Sequence, residues 1–130
     1  MHQPEVNNLL AAAEAHLSAH RLGAAAEAYQ AVLAAEPNHA VALHGLGWIA
    51  HLSGDHAQAV DLLRKSLGAE PANAGCWNNL GIVYAAEQRP AEAAEAYRRA
   101  IAIQPNFPHA YLNLGNAMRD QCCHWVRLII

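Results

Sequence analysis

Nine histidines and three cysteines are the residues of this 130-residue chain best equipped for chemistry. Imidazole is a common metal ligand whose charge changes near neutral pH, and thiolate is both ligand and nucleophile. The spacing works against both roles. His16 and His20 are the one pair four residues apart, the separation that puts two ligands on one helix face, and no carboxylate completes a site around them. His39 and His44, like His51 and His56, are five apart and share a helix face poorly. Cys122-Cys123-His124 sets soft ligands side by side, whereas a zinc site wants two spaced pairs. Cys76 falls within a helical stretch and reads as a small buried residue, and an odd cysteine count with two adjacent makes no disulfide framework. There is no G-x-S-x-G, no phosphate-binding glycine loop and no H-E-x-x-H. The expectation is therefore a chain without metal, cofactor or enzymatic activity.

Charge and hydropathy narrow the partners. Eight basic residues against eleven acidic ones, with Lys65 the single lysine, leave no nucleic-acid footprint. The opening MHQPEVNNLL lacks a basic region followed by an apolar one, and no run of 18 apolar residues occurs, so a soluble, cytoplasmic protein without membrane contact is expected. The apolar share of 54% owes much to alanine, a strong helix former small enough for close helix contact.

The elements that carry these residues repeat. Shifted by 34 residues, the sequence superposes Leu46-Gly47 on Leu80-Gly81 and Leu114-Gly115, Ala25 on Ala59 and Ala93, and Pro37 on Pro71 and Pro105. Between Ala74 and Pro105 the order is Trp77, Leu80-Gly81, Tyr84, Ala93, Tyr97, Ala100, Pro105. The Trp77 position is taken by Leu9, Leu43 and Tyr111 elsewhere, and the Tyr97 position by Tyr29 and Leu63. Turn residues cut the chain into helices at about 5–19, 22–35, 39–52, 56–68, 73–86, 91–103 and 107–120. Pro37 ends the first pair and Asn38 suits the next cap; Gly54 is the left-handed corner residue and Asp55 the N-cap after it. Pro90 opens a helix without loss, and Asn106 caps the last helix with Pro108 in its first turn.

This pattern, W-x2-L-G-x2-Y…A-x3-F…P, resembles the tetratricopeptide repeat (TPR) family over about residues 5–121, with the first copy weakest because Ala12-Ala13 replaces Leu-Gly and His16 stands at the Tyr84 site. The resemblance implies an all-α, right-handed α-solenoid of antiparallel helix pairs. Repeats at 6–39, 40–73 and 74–107 would be followed by a partial one at 108–121, and residues 122–130 would form a divergent apolar tail. Within a pair, Gly47, Gly81 and Gly115 would face the Ala59 and Ala93 class, while Leu43, Trp77 and Tyr111 fill the gaps between pairs. Helix 107–120 would turn Tyr111, Leu114 and Met118 inward. The tail, with Trp125, Val126, Leu128, Ile129 and Ile130, would cover that helix or pair two chains as a homodimer.

Such arrays hold peptides or proteins in a concave groove. The register assigns to it His44 and Trp48, then Asn78, Asn79 and Ile82, then Leu112, Asn113 and Asn116. The segment AYLNLGNAMRDQ is similar to the TPR arrays of O-linked N-acetylglucosamine transferases, in which an asparagine ladder grips an extended peptide backbone. Asn79 and Asn113 match that ladder, whereas Ala11 and Gly45 depart from it. An amide suits the task because it donates and accepts at once. The carboxylate clamp of chaperone-binding members needs Lys and Arg, but the matching places hold Leu10, Glu14, His44, Asn78 and Leu112. The expectation is a peptide- or protein-binding scaffold, with Trp48 as an aromatic anchor. Two alternatives are the substrate-targeting array, or truncated relic, of a glycosyltransferase, and a structural dimerisation unit.

Overall fold

Connections of three or four residues between apolar helical stretches make the chain double back, giving seven helices among the described residues. The computed structural model describes residues 2–129, with side chains described through Cys122, and among these residues there is no strand. The helices fall into two units. The first, Met1–Pro71, holds α1 (Gln3–Ser18), α2 (Leu22–Ala35), α3 (Ala40–Leu52) and α4 (His56–Ala69). The second, Ala72–Ile130, holds α5 (Ala74–Ala86), α6 (Pro90–Ile103) and α7 (Pro108–Ile129).

In the first unit α1 packs on α2, α2 on α3, and α3 on α4. Its core joins Val6 and Ala13 of α1 to Ala25, Tyr29 and Val32 of α2 and to Ala42 and Ile49 of α3. Alanines at 0% exposure allow this close approach. Ser66, also buried, donates its hydroxyl to the Ala40 carbonyl at 2.8 Å and so ties α4 to the start of α3. In the second unit α5 packs on α6, and α7 on both. Ala74, Ala100 and Ala110 are buried there against Trp77, Ile101 and Phe107, and the Arg99 guanidinium lies 4.9 Å over the Trp77 ring.

All three corners share one geometry. His20, Gly54 and Gln88, spaced by the repeat, take positive φ of 61°, 88° and 62°. The amide after each reaches back to the last helical turn, Arg21 to His16, Asp55 to Ala50 and Arg89 to Tyr84, at 2.8–2.9 Å. This closes the otherwise orphaned carbonyls of a helix C-terminus. The caps differ partly from expectation. Asp55 caps α4 by accepting from the Gln58 amide, and Asn73 caps α5 by accepting from the Cys76 amide. For α3, however, the cap is His39, whose Nδ1 faces the Ala42 amide at 3.4 Å, rather than Asn38. Helix α7 begins at Pro108, so Phe107 and not Asn106 precedes its first residue.

The pairing of small and large residues also needs correction. A Cβ added at Gly81 would clash with the Tyr97 ring, 2.4 Å from Cε1, and one at Gly47 would lie 2.9 Å from Leu63 Cγ. Each glycine is thus a seat for the large residue four positions beyond Ala93 or Ala59, not for the alanine itself. Gly115 has nothing within 4 Å among the described residues. Tyr111 and Met118, expected inward, are 52% and 50% exposed. The last helix was expected to stop at 120; its backbone continues as helix to Ile129 without a corner. The side chains proposed to cover or dimerise it, from Trp125 to Ile130, lie outside the described residues.

Candidate functional site

On α5, Asn78 and Leu80 are buried, whereas Asn79 and Ile82 are half-buried. Asn78 is 7% exposed, so its amide must be paired inside the protein. Its partner lies on α7 of the same unit: Asn113 donates Nδ2–H to Asn78 Oδ1 at 3.1 Å. Asn113 itself is half-buried and flanked by Leu112, which is 64% exposed. Asn116 is exposed, and its Oδ1 accepts from the Arg119 guanidinium at 2.6 Å. The second unit therefore presents an amide fixed in orientation by a buried amide, with an apolar side chain beside it. The register makes Asn79 and Asn113 equivalent positions one period apart; the bond between Asn113 and Asn78 is a contact that equivalence along the chain does not reveal.

In the first unit the ladder position is Gly45, and the reason it is not asparagine is steric. Its added Cβ would clash with the Tyr29 ring, 2.3 Å from Cζ, so any side chain there would displace a residue only 2% exposed. Ala13, which carries a Cβ where Gly47 and Gly81 carry none, is fully buried, and Tyr29 seats on Gly45. Burial, with Glu14 adding to it, raises the Tyr29 phenol above its usual range; burial alone pushes Tyr97 up to about 12.

His44 is half-buried, and desolvation lowers its pKa. Trp48 is half-buried with its ring 4.8 Å from that of His51. His51 in turn meets His56, with Nδ1 atoms 3.1 Å apart. The five-residue spacing had spoken against such a meeting, but the count presumes one helix, and a corner separates these two. Desolvation, then the neighbouring His56, lowers the His51 pKa. Elsewhere His16 accepts from Arg21 Nε at 3.0 Å, so the pair with His20 serves the corner of α1. Among the described residues no three or more His, Cys, Asp or Glu converge as metal ligands, and no helix is long and apolar enough to cross a membrane.

The repeat positions fall where packing needs them. Ala25, Ala59 and Ala93 are completely buried, Tyr84 and Tyr97 nearly so, and Trp77 half-buried, while Pro37, Pro71 and Pro105 stand exposed between pairs. Arg89 covers the Tyr84 ring at 4.6 Å and pairs with Glu92 and Glu87, contacts that raise its pKa further.

Family models described as tetratricopeptide repeat match residues 10–74 and 74–107. No curated protein matches the sequence significantly. Among solved structures, a mutant O-GlcNAc transferase of Thermobaculum terrenum is 26% identical with a TM-score of 0.86, the match covering 88% of this chain and 22% of that one. The chain thus spans about a fifth of that enzyme. MamA is 25% identical with a TM-score of 0.83, covering 92% of this chain and 70% of its own. The first TPR of Spaghetti (RPAP3), solved with the HSP90 peptide SRMEEVD, reaches a TM-score of 0.88 at 16% identity, covering 94% and 97%. That last likeness is one of fold alone.

Proposed function

The chain belongs to the tetratricopeptide repeat family, and on that premise we propose that it is a non-enzymatic scaffold whose second unit binds an extended peptide along α5 and α7. The observation that carries this reading is the Asn113–Asn78 hydrogen bond. Asn113 spends one amide hydrogen on a buried partner, which holds its carbonyl oxygen in one orientation and lowers the entropy lost when a ligand binds. That oxygen would accept a peptide N–H, with Asn79 and Ile82 on the neighbouring helix and Leu112 beside it as further contacts. In the first unit, taken by itself, Trp48 and His44 supply an aromatic and a polar surface for a ligand side chain.

An acidic chaperone tail is the less favoured occupant. No Lys or Arg stands at Leu10, Glu14, His44, Asn78 or Leu112, and Asn78 is buried. The fold-level likeness to a protein solved with such a peptide does not supply the missing charges.

Selection of binders from a displayed library of random peptides tests the proposal. Peptides selected on the full chain should bind Asn113→Ala and Asn79→Ala more weakly by ~1–3 kcal/mol, the cost of leaving a buried polar group unpaired. Helical circular dichroism should stay unchanged. Equal affinity for both variants would overturn the amide role.

A second reading rests on the 26% identity to the O-GlcNAc transferase region: the array presents substrates to a glycosyltransferase acting elsewhere. Cross-linking of the chain to such an enzyme during glycosylation of a bound peptide would support it. A rate independent of the array would not.

A further inference from the structure

The corner between α3 and α4 brings together two histidines that neither the repeat pattern nor the proposed peptide surface uses. His51 lies in the last turn of α3, and His56 is the first residue of α4. The reversal at Ser53, Gly54 and Asp55 carries the second ring back beside the first, with ring centroids 5.0 Å apart at 45° and Nδ1 atoms 3.1 Å apart. We propose that His51 and His56 form a two-histidine chelate for a divalent transition-metal ion of the Zn2+, Ni2+ or Cu2+ class.

The distance carries this. A metal ion held by imidazole at ~2.0–2.1 Å, with its two nitrogens at about 90–110° to one another, separates them by ~2.9–3.3 Å. The observed 3.1 Å is that separation, reached without the ion by a hydrogen bond in which one Nδ1–H faces the other Nδ1. Coordination replaces that hydrogen bond. The Nδ1 proton passes through solvent to Nε2 of its own ring, both imidazoles stay neutral, and no net proton is released.

The surroundings fit a site of this size. Both rings are half-exposed, which leaves the remaining coordination positions to water. Asp55 does not compete, since its carboxylate accepts from the Gln58 amide at 3.2 Å. The Trp48 ring lies 4.8 Å from that of His51 and limits its freedom. Two protein ligands make an exchangeable site rather than a closed structural zinc site, which takes four. Because the ligands sit on two helices, the bound ion joins the end of α3 to the start of α4 and stabilises the fold by mass action.

Nickel chloride titrated calorimetrically into the full chain carrying Cys122→Ser and Cys123→Ser tests this without competition from those thiols. One equivalent should bind, quench the fluorescence of Trp48 and raise the melting temperature. His51→Asn and His56→Asn, each checked for native helix content, should both lose that equivalent and the rise in melting temperature, while His20→Asn keeps them. Uptake and melting shift unchanged in the two corner variants would overturn the proposal, as would no uptake by the parent chain.

Discussion

A single Cβ decides the fate of three equivalent glycines. Gly81 lies against the Tyr97 ring, an aromatic group 2% exposed that has no room to retreat. Gly81→Ala should therefore destabilise the fold by ~1–3 kcal/mol, the usual cost of overpacking. Gly115 occupies the same place in the pattern with nothing within 4 Å. Gly115→Ala should stabilise α7 by ~1 kcal/mol, since alanine loses less backbone freedom in a helix. Urea melts of the two variants check this, and a shared sign would contradict the assigned seats. Ser66→Ala should cost ~1 kcal/mol through the lost bond to the Ala40 carbonyl.

At the scale of the helix pair, stability turns on the corners. His20 and Gln88 adopt left-handed backbone that costs an L-residue roughly 1–2 kcal/mol, whereas Gly54 adopts it freely. Gln88→Gly should raise the stability of the α5–α6 pair by ~1 kcal/mol, and Gly54→Ala should lower that of α3–α4 by a similar amount. Differential hydrogen exchange of the amides on either side of each corner is the measurement; no change at Gln88→Gly would mean that the side chain contributes more than the strain costs. Sequence alone placed all three corners but recognised the left-handed residue only at the middle one, because glycine advertises a left-handed site and histidine or glutamine does not.

Over the whole molecule, half-buried imidazoles set a pH dependence. Folding lowers the pKa of His44 and His51 below the ordinary 6.5, so the unfolded chain takes up protons first as pH falls. Stability should be full above about 6.5 and decline as pH drops from there toward the folded-state values, then level off. His44→Gln should flatten part of this decline in melting temperature between pH 7 and pH 5. A melting curve equally steep in the variant would remove His44 as a source.

Helix number, corner positions and repeat register were legible in the sequence because each rests on local rules: alanine-rich apolar stripes, proline stops, and spacing that returns every 34 residues. Which residues touch was not, because contact depends on the neighbouring helix. Gly47 and Gly81 were legible as close-approach positions, but only the fold assigned Leu63 and Tyr97 to them. Gly45 read as a gap in an asparagine ladder until Tyr29 was found above it. Asn113 read as one rung of that ladder, and the fold gave its amide to Asn78. His51 and His56 read as strangers along one helix axis, and a three-residue reversal made them partners. Periodicity records which positions are equivalent along the chain; the packing of one helix against the next decides what each position meets.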